Sequence, residues 1–527
     1  MGNPTSQPSP SKPTSYDEVL YPGFSFVQSH PDRLATQATM FGMAPAALES
    51  CRILELGCGD GANIIPVAFG LPHSHCLGID LAARPIAIGQ GVIDALGLKN
   101  IVLRQMDMME AGKNLGEFDY IIAHGIYSWT SPAVQDKLLA ICSENLAPDG
   151  VAYVSYNANP GGHIRQMMRR MMLYHTRNIS DPMERVRNGL GFLQGLIASL
   201  KEPDPILPVL KPEFERMRNI DPQALFHDDF AEFNEPVYFY EFIEHASRHG
   251  LKYLAEADLA AMHATHASIL DDGAFEDSDV VACEQMLDFQ VLRNFRATLL
   301  CHEGVRIARV PPLENIQRLY MAAHVAPDSP GPDAQADKGV TFRKVDLKLK
   351  LKVTTNHPLT KAALFHLSAR WPERISFEEL RSVAFAESGW TPAQGEVMPL
   401  ETMLLKMHVG KIVDLHSHKT PAIATVSDRP VASALARYVL RERNYAANLN
   451  HSNIHADGAL HALIQLLDGT RDHPALVKEM EQRIASGKVT IEIDGAPAKD
   501  AAEASKAMVD GMEENLKKVA RMALLVG

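Results

Sequence analysis

Positive charge is in deficit in this 527-residue sequence: 51 Lys and Arg stand against 64 Asp and Glu, a formal net charge of -13. That balance argues against a broad nucleic-acid footprint, which needs clustered cations facing phosphates. Long apolar runs are missing as well. No stretch approaches the roughly 18 apolar residues that span a bilayer, and the N-terminus has no basic segment followed by an apolar one. Neither a membrane span nor a secretory signal is expected, and the cytoplasm is the default compartment. Cysteine is scarce. The six present (Cys51, Cys58, Cys76, Cys142, Cys283, Cys301) lie mostly inside apolar runs with no C-x-x-C spacing, so they read as reduced core residues and not as a disulfide frame or zinc site. His451, His455 and His461 lack flanking acids or cysteines, and no metal is expected there.

What is present describes a globular chain, with 46% hydrophobic and 22% charged residues and material for about two to four domains. The segment 52–80, RILELGCGDGANIIPVAFGLPHSHCLGID, organises the rest. Ile53 to Leu56 form a short apolar run that ends in Glu55-x-Gly57-x-Gly59-x-Gly61, and a helical pattern begins at Ala62. A buried strand, a glycine-rich turn and a helix start follow one another. Glycine suits a turn where a Cβ obstructs the backbone and where a ligand approaches main-chain N–H groups. A second apolar run, His75 to Ile79, ends in Asp80, 19 residues after Gly61. In a βαβ unit that acid sits beside the ribose of a nucleotide-like cofactor. Glu55 and Asp60 bracket the turn, which favours a cofactor carrying an amine and a sulfonium over one carrying phosphates.

This spelling resembles the first motif of the Rossmann-like, class I S-adenosylmethionine (SAM) methyltransferases. The resemblance implies SAM as cofactor, with Gly57, Gly59 and Gly61 near its methionine part, and a cofactor set of Glu55, Gly57, Gly59, Gly61, Asp80, Leu81, Asp107, Met108 and His124. The bland alternative is a strand-turn-helix that binds nothing.

Alternating apolar runs and helical segments continue the series. Ile101 to Met106 form a third strand before Asp107, Phe118 to Ala123 a fourth before His124, and Val151 to Tyr156 a fifth before Asn157. Polar residues therefore fall at the carboxyl ends of strands, where open parallel sheets bind ligands. Asp107, between Met106 and Met108, is placed either to accept from an adenine amino group or to cap the next turn. The fourth strand's end reads AHGIYSWTSP and lacks the Asn/Asp-Pro-Pro-aromatic tetrad of enzymes that methylate adenine N6 or glutamine amides. His124, Tyr127, Trp129 and Tyr156 are the catalytic candidates. The aromatics wall a cationic pocket or anchor the core, and His124 is an orienting donor or base, or a structural residue.

Upstream, a Pro/Ser-rich tail reads as disordered; Met1-Gly2 with Ser6 fits a myristoylation pattern interrupted by Pro4. HPDRL opens a helix running to about Met43. Tyr16, Tyr21, His30 and Arg33 either close the cofactor pocket, as the resemblance implies, or lie on a surface helix. Downstream come a helix at Ile164 to Tyr174, amphipathic helices across 177–218, a helix at Tyr238 to His249 and two late strands, Leu251 to Ala257 and Ala297 to Cys301, that complete a seven-stranded sheet. FNEPVYFYEFIEHASRHGL and RNFRATLLCH resemble the regulatory domain fused behind class I methyltransferase cores in bacteria. That group includes rickettsial enzymes that methylate lysines of outer-membrane proteins, which implies protein lysine N-methylation here. The sequence divides into a tail (1–15), a SAM-binding core (16–175), a helical insertion (176–224), a regulatory segment (225–310), a linker (326–339) and a C-terminal interaction domain (340–527). In the last, a strand over Phe342 to Val353, helices near 359–370, 376–388 and 395–408, and a strand at Ile412 to His416 suggest a winged-helix-like α+β module. A helical extension follows over Pro430 to Arg443, Gly458 to Gly469 with LLDGTRD, and Glu503 to Val526. It lacks a basic recognition helix, so a protein-interaction or dimerisation role is expected over DNA binding. The partners anticipated are a protein or small-molecule methyl acceptor and a second copy of the chain. A small-molecule methyltransferase and a non-catalytic SAM-binding regulator stay open as alternatives.

Overall fold

The computed structural model describes residues 14–262, 279–329, 338–345, 350–389, 399–456, 458–493 and 496–527. Nearly all of the tail, the middle of the linker, the centre of the strand read over 342–353 and the start of the helix read over 395–408 lie outside the described residues. Seven strands, β1 (Arg52–Leu56), β2 (His75–Asp80), β3 (Ile101–Gln105), β4 (Phe118–Ala123), β5 (Leu146–Asn157), β6 (Leu251–Glu256) and β7 (Phe295–His302), form one sheet in the order β3-β2-β1-β4-β5-β7-β6. The first five pair in parallel, and β7 runs antiparallel to both β5 and β6. The order reverses between β1 and β4, and a parallel sheet opens its ligand crevice at such a point. Ile53, Leu54 and Leu56 of β1 and Tyr120 to Ala123 of β4 are wholly buried, which is why the central strands read as unbroken apolar runs.

The helices in chain order are α1 (Ser15–Glu18), α2 (Pro31–Met40), α3 (Ile64–Gly70), α4 (Ala83–Leu96), α5 (Pro132–Glu144), α6 (Gly162–His175), α7 (Pro182–Ser199), α8 (Leu207–Arg218), α9 (Pro222–Asp229) and α10 (Phe239–Arg248). His30 caps α2 by accepting from the Asp32 N–H at 3.1 Å. The surface-helix alternative for α2 does not hold, because every residue of it except Arg33 is buried. Met168, Met172, Leu193, Phe214 and Phe230 draw α6 to α9 into a core of their own.

Beyond β7 the main core continues without a break into the helices Pro358–Arg370, Phe377–Ser388 and Leu400–Val409. The single strand read over 342–353 is two strands, Val340–Lys344 and Lys352–Thr355, paired antiparallel with Arg343 opposite Lys352. The apolar alternation runs on through the reversal, so its period carries no sign that the chain turns. A separate core spans Ala432 to Leu525. In it the helix read over Pro430 to Arg443 shrinks to Ala434–Val439, and Leu466–Asp472 is not helical past Leu466: Asp468 bridges back to Val431 and Asp472 caps the helix His473–Ala485. The hairpins Tyr445–Ala447 with Asn453–His455, and Glu492–Ile493 with Ala496–Pro497, complete this unit.

Candidate active site

The turn after β1 is held by three left-handed glycines, Gly57, Gly59 and Gly61, with φ of 68°, 54° and 75°. A Cβ at Gly57 would lie 2.1 Å from Ile126 Cδ1, so the loop leaving β4 sits directly on this turn. The Gly59 N–H donates to Asp80 Oδ2 at 2.8 Å, and the Ala82 N–H donates to Asp80 Oδ1 at 2.8 Å. Asp80 is thereby fixed at the end of β2 with acceptor capacity left on both oxygens, and burial pushes its carboxyl up. Glu55 is buried, takes one bond from Asn63 Nδ2 at 2.7 Å and leaves Oε2 without a partner. Burial pushes Glu55 up to about 8. The two carboxylates Asp60 and Asp80, with the free Oε2 of Glu55 beside them, around a turn of bare backbone suit a ligand with a cationic amino-acid end and a ribose over one with phosphates. Leu81 is 45% exposed beside them. Asp107 is exposed and accepts from the Met109 N–H at 2.9 Å, with Met108 half-buried next to it.

At the end of β4 the Phe26 ring stacks on His124 with centroids 3.7 Å apart, and His124 Nδ1 lies 2.9 Å from the Tyr153 hydroxyl and 3.2 Å from Ser155 Oγ. Burial brings the imidazole down to about 3. His124 is therefore neutral near pH 7 and too weak a base to deprotonate an ammonium, which removes the base among its three readings and leaves the orienting donor and the structural residue. Tyr127 and Tyr156 do not join it. The Tyr156 hydroxyl is bonded to Thr298 Oγ1 at 3.0 Å, and its ring stacks on Phe242 at 4.2 Å. Tyr127 is edge-on to Phe242 and bonded through its hydroxyl to His245 Nδ1 at 2.9 Å. Strand alternation explains this: Tyr153 and Ser155 share one face of β5 with His124, and Tyr156 takes the other. Trp129 is half-buried, with Nε1 donating to the Asp228 carbonyl at 3.4 Å.

Two straps cross the cleft. In the N-terminal one, Asp17 accepts from the Arg84 N–H at 3.0 Å, the Val19 carbonyl accepts from His227 Nε2 at 2.7 Å, and Tyr16 stacks on His227 at 4.1 Å. Burial and the carboxylates of Asp228 and Asp80 together push the Tyr16 phenol up, and Asp228 acts on Tyr21 as well. Asp228 itself is pushed up to about 7 by burial, although Arg165 lies 3.6 Å away. His30 and Arg33 face elsewhere: His30 lies against His451 and His418, and Arg33 helps hold down Asp258 and Asp414. The second strap comes from the C-terminal unit. Arg443 Nη2 donates to Asp60 Oδ2 at 2.6 Å and His451 Nε2 reaches Asn63 Oδ1 at 2.9 Å. Asn63, Phe26, Tyr153, Asp228 and Arg443 were not read from the sequence as site residues.

Three family models match the chain: a methyltransferase domain over residues 53–150, a predicted methyltransferase regulatory domain over 221–302, and a C-terminal winged helix domain of PKMT over 428–524. The winged-helix match lies downstream of the 342–416 region where the sequence pattern suggested one. The uncharacterized protein RP028 of Rickettsia prowazekii is 35% identical over 241 residues, covering 46% of this chain and 96% of the relative. RP789 of the same organism is 29% identical over 520 residues, covering 97% and 93%. The chain belongs to the class I SAM-dependent methyltransferases that carry a methyltransferase regulatory domain, and its cofactor is SAM. Among solved structures it is similar to PKMT2 from Rickettsia typhi, at a TM-score of 0.85 and 28% identity over 96% of this chain and 100% of that one. The same relative in complex with AdoHcy gives a TM-score of 0.85 and 27% identity.

Proposed function

We propose that the methyl acceptor is a lysine side chain of a protein. The end-to-end likeness to PKMT2, covering 96% of this chain, carries the reading, and the chemistry of the cleft supports it. Bound SAM supplies an electrophilic methyl group, and alignment of the incoming nucleophile accounts for much of the acceleration in such a displacement. Glu55, the glycine turn and Asp80 hold the cofactor in this reading, with Leu81, Asp107 and Met108 along its adenosine side. A lysine amine has an ordinary pKa near 10.4, so only about one in 2,500 is neutral at pH 7. The cleft must accept the ammonium and then discharge it. Asp228 is suited to both steps: a half-buried carboxyl brought to about 7 attracts a cation and can hold its proton. Tyr16 and Tyr21 lie near enough to feel the Asp228 charge and Trp129 Nε1 donates to its backbone carbonyl, so an ammonium held there loses water, which lowers the amine's pKa against the opposing pull of the carboxylate.

The test incubates the protein with methyl-labelled SAM and a total bacterial protein extract, followed by acid hydrolysis and amino-acid analysis. Label in ε-N-methyllysine is the expected outcome, falling about 100-fold in Asp228→Asn while S-adenosylhomocysteine binding is kept. Label that, before hydrolysis, separates entirely with molecules below the size of a peptide would overturn the protein acceptor and favour a small-molecule one. Calorimetric titration with S-adenosylhomocysteine checks the cofactor site separately: wild type binds, and Asp80→Ala loses at least about tenfold in affinity, ~1.4 kcal/mol.

A further inference from the structure

Among the described residues, one group of side chains has the ligand geometry of a metal centre, and it is not the histidines of the C-terminal unit. His245 and His249 are four apart at the end of α10, so both imidazoles leave the same helix face. Asp136, one turn into α5, reaches across to them: Oδ1 lies 3.3 Å from His245 Nε2 and 2.9 Å from His249 Nε2. The three ligand atoms all fall within 4.8 Å of one another. Those separations match donor atoms arranged around one ion. The side chains are 20%, 17% and 64% exposed, which leaves the imidazoles largely fixed by the protein and one side open to water as a further ligand.

The other nitrogen of His245 supplies a second, independent observation. Nδ1 is already bonded to the Tyr127 hydroxyl at 2.9 Å, and Tyr127 is itself locked by edge-on packing on Phe242. Metal-bound imidazoles are generally oriented in this way, with the distal N–H tied to an oxygen that fixes the ring and its tautomer. We propose that Asp136, His245 and His249 form a binding site for a divalent transition ion, with Zn2+ the best match to a donor set of two imidazoles and one carboxylate. Softer ions lack a thiolate here, and Mg2+ and Ca2+ prefer all-oxygen shells. The ion ties α5 of the methyltransferase core to α10 of the regulatory domain. Through Tyr127 it also steadies the loop that leaves β4 and rests on the glycine turn.

The site is tested by calorimetric titration of Zn2+ into chelator-stripped full-length protein, alongside Asp136→Asn, His249→Gln and Tyr127→Phe. One ion per chain is expected, with saturable binding lost in the first two variants and weakened about 10- to 100-fold in Tyr127→Phe. Co2+ in place of Zn2+ then gives visible ligand-field bands that His249→Gln lacks. All variants are first checked for wild-type far-ultraviolet circular dichroism and a cooperative thermal transition in the chelator-stripped state, so that lost zinc binding is not lost folding. No saturable binding by the wild type, or binding of equal strength in Asp136→Asn and His249→Gln, overturns the proposal.

Discussion

Glu55 shows how a single residue carries both ligand chemistry and a stability cost. Its carboxyl is buried with one oxygen unpartnered, so burial favours the protonated form and brings it to about 8. The unfolded chain releases the same proton near the ordinary Glu value of about 4.5. The unfolded state is therefore increasingly favoured as pH rises from about 4.5 to 8, and stability is full below that window and lost across it. Glu55→Gln keeps the acceptor for Asn63 and cannot ionise. In thermal melts of the cofactor-free protein, the variant's advantage over wild type should be small at pH 5 and grow steadily to pH 8. There a carboxyl moved from 4.5 to about 8 costs the wild type on the order of 4 kcal/mol and several degrees of melting temperature. Parallel slopes for the two proteins would remove Glu55 as the titrating group. The position itself was legible, because an acid two residues before a glycine turn is a local pattern. The partners of the neighbouring His124 were not: Tyr153 and Ser155 became visible only once the phase of β5 was known.

At the scale of elements, the sheet was readable because its central strands are buried on both faces, and the end of the sheet depends on something the pattern did not show. Arg296 on β7 is wholly buried and bonds to Glu256 of β6 at 2.5 Å and to Glu284 and Asp288 of the helix Val280–Val291. Its guanidinium also lies 3.8 Å over the Phe239 ring of α10. One cation thus joins β6, β7, α10 and the helix Val280–Val291. Within RNFRATLLCH it looks like any charge at a strand start, since the acids that neutralise it lie 8 to 40 residues away. Removing one partner from a buried charge network costs about 3–5 kcal/mol, because the remaining charges stay buried. Arg296→Ala should lose that much in urea unfolding, with faster backbone exchange in β6 and β7 before β1 to β4. Arg296→Lys, a compact charge without the guanidinium's five-donor fork that here uses Nε, Nη1 and Nη2, should recover only part of it.

On the scale of the whole molecule, the cofactor turn is assembled from segments nearly 400 residues apart. Asp60 is paired with Arg443, Asn63 with His451 and Ser25 with Asn453, so the hairpin Tyr445–Ala447 with Asn453–His455 and its approach touch both the glycine turn and the N-terminal strap. Arg443 also donates to the Gly23 carbonyl at 3.3 Å. Nothing local in RERNYAANLNHSN marks these contacts, because each exists only where two units dock. Their consequence separates two views of the C-terminal unit. If it serves only to meet a partner, cutting its contact with Asp60 leaves the cofactor site as it was. The structure instead places the Arg443 charge on the one acid of the turn that bonds neither Asn63 nor the ribose-side backbone. Arg443→Ala leaves the Asp60 carboxylate unneutralised near Asp80 and unpins the strap. S-adenosylhomocysteine should then bind about tenfold more weakly, ~1.4 kcal/mol, with Arg443→Lys intermediate and a steeper salt dependence in wild type than in Arg443→Ala. Equal affinities for wild type and Arg443→Ala would mean that the C-terminal unit packs against the site without shaping it.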